Sequence, residues 1–288
     1  MSPEAVLPDA LWVNGRPAAQ VSALDRGLHY GDGLFETMAC LNGRPRFLGL
    51  HLNRLADGCA RLGLPPPDTA ALEGQVRAIA QGPGRAIVKL IVTRGRALAR
   101  GYGLSGQEEP THVLLRYPWA GEDAVAAAQG VRVRIGTLKL GENPALAGLK
   151  HLNRLEQVLA RAECSDPQLA EALLFSSSGA LVCGTMSNVF LVHGGQLATP
   201  RLDRCGVAGV MRAVVGGLAP GCGIHFQERR LEGKDLEAAE EIFLTNALTG
   251  IRPVRELSGR TLAAGPVTRR LQQALAPHLA GGGEAADA

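Results

Sequence analysis

Several features that would settle the class of a chain at once are missing here. Nowhere do the 288 residues approach the roughly 18 consecutive apolar positions that a membrane-spanning helix needs, so no membrane partner is expected. The opening MSPEAVLPDALWVNG is acidic and proline-bearing, with no basic segment ahead of an apolar run, so no secretory signal is expected. CxxC pairs are absent. The six cysteines (Cys40, Cys59, Cys164, Cys183, Cys205 and Cys222) are scattered, which argues against both a zinc site and a disulfide framework. Lysine and arginine form no dominant block, and the net charge is only +3, with acids and bases interspersed. A nucleic-acid partner is therefore not expected. A small anionic ligand stays open, because local sites and not net charge hold it. The expected compartment is the cytoplasm, and no metal is expected.

What is present describes a folded α/β chain. Hydrophobic residues make up 46% and charged residues 20%, with clear local periodicity, unlike a disordered polymer. The length exceeds one average domain. YPWAGED breaks the pattern, and residues 117–123 are the expected linker between an N-terminal α/β domain over 1–116 and a C-terminal α/β domain over 124–288.

LWVNG reads as a strand ending in an Asn14-Gly15 turn, and FETMAC as a second strand, turned back at Asn42-Gly43. From Leu48 to Leu62 the apolar positions recur at helical spacing, with Gly63 as the stop. A second helix is expected over about Asp68 to Ala80. AIVKLIVTRG, THVLLRYP, VRVRIGTL, EALLFS and NVFLV read as strands. A further helix is expected from about Leu149 to Glu163, with Leu152, Leu155, Val158, Leu159 and Ala162 on its buried face. CGVAGVMR turns into a helix, EEIFLTNALTGIRPV is a buried strand leaving into a loop, and a last helix covers about Val267 to Leu279. HLNRL occurs at 51–55 and again at 151–155, but the flanks share no similarity, so it reads as a sequence suited to amphipathic helices and not as a repeat.

Four groups of residues could carry chemistry. Lys150 stands between Leu149 and a helix start, beside His151, Asn153 and Arg154. Such a lysine is ordinarily a solvated charge. Held among apolar groups and near other cations, it becomes an amine nucleophile near neutral pH. Arg54 lies at the edge of its helix's apolar face, where a guanidinium needs a partner; a phosphate and an interhelical carboxylate both suit it. The amides of Val210 and Met211 open a helix, where free N–H groups favour an anion. The strand ending in FLTNALTG leaves through Thr245, Asn246 and Ala247, which are small and hydrogen-bonding. With Arg54 these would complete a phosphate cup without a P-loop. Arg94, Arg96, Arg100 and Tyr102, in RGRALARGYG, read either as a clamp for a carboxylate-bearing substrate or as an exposed loop.

At this point the string LAGLKHLNRLEQVLAR resembles the lysine region of the aminodeoxychorismate lyases, fold-type IV pyridoxal-phosphate enzymes related to D-amino acid and branched-chain aminotransferases. DRGLHYGDGLFET, HLNRL at 51, RGYG at 100, TPRLDRCGVAGVMR at 199 and FLTNALTGIRPV at 243 follow in family order, from about residue 12 to 254. The resemblance implies two α/β domains with the cofactor in the cleft between them, and a homodimer. It implies that pyridoxal 5′-phosphate is attached to Lys150, which afterwards moves protons, with Thr37 assisting proton delivery. Arg54, the Val210-Met211 amides and the Asn246-Ala247 turn would hold the phosphate, while Arg94, Arg100 and Tyr102 would meet the substrate. The implied reaction converts 4-amino-4-deoxychorismate to 4-aminobenzoate and pyruvate in folate synthesis. The alternatives are an aminotransferase of the same fold and, from another class, a phosphorylated-metabolite binding protein that forms no covalent adduct.

One departure stands out. The family pattern G-x-x-x-E-G-x-x-S-N-x-F places a glutamate against the pyridine nitrogen; here Cys183 occupies its position, between Gly179 and the pair Ser187-Asn188. A neutral thiol stabilises a protonated pyridine less than a carboxylate does, so the cofactor should be a weaker electron sink. That handicaps transamination more than an elimination whose product gains aromaticity, unless another residue replaces the missing acid.

Overall fold

Alternating apolar and polar residues in the first part of the chain form strands joined by tight turns. The computed structural model describes residues 7–97 and 99–280. Its contacts divide the chain into two units: one runs up to Gly121 and includes Lys150–Asn153, and the other contains Glu122–Leu149 and Arg154–Leu279.

In the first unit β1 (Ala10–Val13) returns into β2 (Arg16–Pro17), and after the short helix α1 (Arg26–Tyr30), β3 (Gly33–Leu41) returns into β4 (Arg44–Pro45). Both hairpins turn through Asn-Gly pairs with positive φ, 49° and 76° at residues 14 and 15 and 49° and 77° at 42 and 43. That mirror-image turn matches the twist of the strands it joins. Helices α2 (Leu48–Leu62) and α3 (Thr69–Ile79) follow, then β5 (Arg85–Thr93) and β6 (Thr111–Pro118). The strands form an antiparallel sheet in the order β2-β1-β6-β5-β3-β4. Helix α2 has the bounds its periodicity predicts. Leu48, Leu52, Leu55 and Cys59 are buried along one stripe, and Gly63 closes the helix in a left-handed conformation.

The expected helix from Leu149 is corrected by the structure. Lys150 and Leu152 pair with β3 instead, through Phe35 N–H to Lys150 O (3.0 Å) and Leu152 N–H to Gly33 O (3.0 Å). Those two bonds satisfy backbone groups that a helix would otherwise satisfy, and they carry residues 150–153 into the first unit and not the C-terminal one.

The second unit runs through α4 (Ala124–Gln129), β7 (Val131–Leu140), α5 (Leu155–Ala162), β8 (Leu169–Ser176), β9 (Leu181–Gly184), β10 (Asn188–His193) and β11 (Gln196–Pro200). It continues with α6 (Val210–Gly221), β12 (Phe226–Arg229), α7 (Gly233–Ala238), β13 (Glu241–Asn246), β14 (Gly250–Leu257), β15 (Arg260–Thr261) and α8 (Pro266–Ala280). Its mixed sheet has the order β12-β11-β10-β13-β14-β7-β8-β9, with β15 beside β14. Val133, Leu173, Leu191, Ile242, Leu244 and Val254 are buried in its main core, and the Phe190 and Phe243 rings stack with centroids 4.9 Å apart. Each such side chain contributes about 1.5–3 kcal/mol of burial.

Helix α5 holds a second correction. Leu155, Val158 and Leu159, expected on the buried face, are exposed (77%, 62% and 59%), and Ala160 is the residue that packs inward. Among the described residues no helix is long and apolar enough to cross a membrane.

Candidate active site

The first unit assembles a lysine, an aromatic ring and a buried ionic network around β3. Because side chains alternate along a strand, Phe35 and Thr37 share one face of β3 and Leu34, Glu36 and Met38 the other. Lys150, aligned beside Phe35, lays its Nζ 4.2 Å from the centre of the Phe35 ring. Lys89, opposite Thr37 in register, places its own Nζ 5.3 Å from the same ring. Lys150 and Thr37 are both half-buried on this face. The sequence reading missed Lys89; the signal was a lone cation inside the alternating run AIVKLIVT.

On the opposite face Glu36 meets two side chains of α2. His51 Nδ1 donates to Oε2 (2.6 Å), Arg54 Nε donates to Oε1 (2.8 Å), and Arg54 Nη2 donates to Oε2 as well. Arg54 therefore has a carboxylate partner, though on a strand and not on a second helix. Burial pushes the Glu36 carboxyl up, but the His51 hydrogen bond and the Arg54 guanidinium outweigh it and hold it down at about 2. Burial pushes the fully enclosed His51 imidazole down, keeping it neutral.

The loop after β5 behaves differently from its expected role. Arg94 is buried, donates to both oxygens of Asp32 (2.8 and 3.2 Å), and also donates to the carbonyls of Gly63 (2.6 Å) and Leu62 (2.9 Å). A guanidinium so committed holds the loop and not a substrate; the clamp role is withdrawn from Arg94. Nor is the segment untethered. The buried Arg26 guanidinium donates to the carbonyls of Gly101, Tyr102 and Gly103, and the exposed Tyr102 ring leans on Tyr30 at 5.1 Å. Arg96 and Arg100 are exposed, and Leu98 lies outside the described residues.

In the second unit α6 begins at Val210 after Gly209, which offers no side chain to cap the first amides. Asn188, opposite Thr245 in register, donates to Val207 O (2.8 Å), which ties the end of β13 to the turn before α6. A Cβ on Gly209 would collide with the Asn188 carboxamide oxygen, so a larger residue here would push Asn188 off its bond to Val207. Asn246 donates to Met186 O (2.7 Å) and accepts from Leu248 N–H (2.8 Å), shaping the turn that contains Ala247. The Thr245 and Thr249 hydroxyls are buried without a hydrogen-bond partner. Uncapped helix amides and unmatched hydroxyls are the donor set a phosphate needs.

Beside them the buried Glu171 accepts from Met186 N–H (2.9 Å), Ser187 Oγ (2.8 Å) and Arg252 Nη2 (2.8 Å), fixing the turn between β9 and β10. Sequence reasoning missed this acid; the only signal was a charge inside the apolar strand EALLFS. Cys183 pairs with Leu174 in register and is buried among Leu140, Ala160, Cys164 and Ala172. Burial pushes its thiol up to about 12, so it is neutral, and the charge of Arg154 acts on it. Glu171 and Cys183 lie on opposite faces of the sheet, since Glu171 shares a face with Leu173 and Cys183 with Leu174.

The fold is that of a fold-type IV pyridoxal-phosphate enzyme. The chain belongs to the class IV aminotransferase family, whose profile, amino-transferase class IV, matches residues 33–257. It is similar to 4-amino-4-deoxychorismate lyase from Pseudomonas aeruginosa, whose crystal structure superposes with a TM-score of 0.89 at 48% identity, covering 93% of this chain and 99% of that one. Aminodeoxychorismate lyase of Vibrio harveyi is 33% identical over 91% of this chain and 97% of its own length. The branched-chain amino acid aminotransferase of Escherichia coli shares the fold at 25% identity, with a TM-score of 0.84 and 96% of each chain covered.

Proposed function

We propose that this chain is a pyridoxal-phosphate-dependent lyase that converts 4-amino-4-deoxychorismate to 4-aminobenzoate and pyruvate. The observation that carries the reading is Lys150, held by two backbone bonds against β3 with its amine over the Phe35 ring, in a chain 48% identical to a solved lyase of that name. When bound, the cofactor supplies an electrophilic carbon for amines and a ring that takes up electrons.

The chain's own residues supply the rest. Lys150 would hold the cofactor through its Nζ, and as a free amine that Nζ would take the proton from the amine-bearing carbon. Thr37, on the same face, passes a proton toward the departing enolpyruvyl oxygen. By the resemblance, Arg54, the Val210-Met211 amides and the Asn246-Ala247 turn are the residues that would hold the cofactor's phosphate. With Arg94 committed to Asp32, Lys89 becomes the candidate cation for a substrate carboxylate, because it faces the same ring as Lys150. Arg100 and Tyr102 remain assigned to the substrate by resemblance.

Cys183 favours elimination over amino transfer. A buried neutral thiol offers the pyridine nitrogen no counter-charge, and Glu171, on the other sheet face, does not replace it. We further place the enzyme in the cytoplasm, where its six free cysteines stay reduced, and assign it a homodimer whose contact surface includes the exposed face of α5.

Borohydride reduction followed by mass spectrometry tests the reading. Lys150 should gain the mass of the reduced cofactor. Lys150→Ala should lose both the adduct and the release of aromatic product, and an active Lys150→Ala enzyme sinks the proposal.

A further inference from the structure

Glu36 is a buried acid of the first unit whose two oxygens accept three side-chain hydrogen bonds, and the reaction described above leaves it without a part. It is 1% exposed, flanked on its own face by Leu34 and Met38, at a place where an apolar residue would pack without any electrostatic cost. Replacing a buried charge network with apolar side chains is often neutral or stabilising, so stability alone gives no reason for a carboxylate there. Its geometry gives another. The two carboxylate oxygens take Arg54 side-on, through Nε and Nη2, which fixes the plane of the guanidinium. His51, one turn earlier on α2, donates Nδ1–H to Oε2 and so fixes the carboxylate in its turn. His51 is itself enclosed, so the brace does not move with solvent.

We propose that Glu36, braced by His51, is a positioning residue that orients the Arg54 guanidinium toward the phosphate of the cofactor. This rests on the function proposed above. The role is orientation and not attraction, because a carboxylate beside Arg54 cancels charge that would otherwise draw an anion. The two accounts predict opposite signs. If Glu36 merely tempers the charge, Glu36→Gln tightens phosphate binding; if it aims the guanidinium, Glu36→Gln weakens it.

The experiment is equilibrium binding of pyridoxal 5′-phosphate and of pyridoxal to the apoprotein, with thermal midpoints measured in parallel. Glu36→Gln should raise the Kd for pyridoxal 5′-phosphate about ten- to a hundredfold, the worth of a charge-assisted hydrogen-bond pair. Pyridoxal, which lacks the phosphate, should bind nearly as to the wild type. His51→Leu should shift binding in the same direction, while His51→Asn, which keeps an N–H donor for Glu36, should largely restore it. In an Arg54→Ala background Glu36→Gln should cost nothing further, because the effect passes through Arg54. Tighter or unchanged binding of pyridoxal 5′-phosphate, an equal loss for pyridoxal, or a loss that persists without Arg54 overturns the inference. A wild-type protein that fails to take up the cofactor at Lys150 overturns the functional reading itself, a different and separable result.

Discussion

At the scale of single residues, Glu36 and His51 are the buried pair that contributes to the acid limb of stability, beside carboxyls such as Asp32 that arginines also hold down. Glu36 titrates at about 2 in the folded chain against an ordinary value of 4.5, so its contribution is complete above 4.5 and lost as pH falls toward 2. The linked stabilisation is about 3 kcal/mol. His51, held neutral by burial, acts in the same direction, because below its ordinary value of 6.5 the unfolded imidazole takes up the proton more readily than the folded one. Denaturant midpoints followed from pH 7 downward should therefore fall, and Glu36→Gln should flatten the stretch between 4.5 and 2; an unaltered slope would refute the assignment. Cys183 supports a second prediction. Cys183→Glu, which puts a carboxylate where the family pattern has one, should speed formation of pyridoxamine phosphate from an amino acid more than it speeds elimination. Packing the longer side chain should lower the thermal midpoint, since overfilling a core costs about 1–3 kcal/mol.

At the scale of elements, legibility followed how local the deciding contacts were. Helix α2 could be read from its apolar spacing and Gly63 because its stripe and its cap sit on the same stretch of chain. Residues 150–152 read as helix by the same periodicity, yet the backbone groups of Lys150 and Leu152 bond to β3, more than a hundred residues away in sequence, and that pairing prevails. The RGRALARGYG loop misled for the same reason: Arg94 and Arg26 are cations whose partner, Asp32, lies far from the loop in sequence. This separates two variants. Arg94→Ala should destabilise the fold by about 3 kcal/mol, as breaking a buried pair does, with little change in KM among molecules still folded. Lys89→Met should leave the melting midpoint close to wild type and raise KM for the carboxylate-bearing substrate. Steady-state kinetics beside thermal melts distinguish them, and the reverse pattern would return the clamp to Arg94.

At the scale of the whole molecule, the exposed apolar side chains of α5 are the surface on which the proposed homodimer is tested. Leu155, Val158 and Leu159 form an apolar face that the described residues do not bury, although the helix itself is amphipathic. If the proposed dimer forms through this face, Leu155→Glu combined with Leu159→Glu should yield a monomer in sedimentation while leaving the folded core intact, since neither side chain packs inward. A dimer that survives both changes would place the interface elsewhere.

The sequence by itself determined helix α2 and most strands and singled out Lys150 and the turns at Val210 and Asn246, because hydrophobic alternation, glycine stops and short motifs act over neighbouring residues. Tertiary structure alone decided which cations are committed and which face the ring, where Glu36 and Glu171 send their hydrogen bonds, and that residues 150–152 extend instead of coil. Each of those outcomes rests on a partner far away along the chain, and a buried charge or backbone group is satisfied by whatever the fold brings to it.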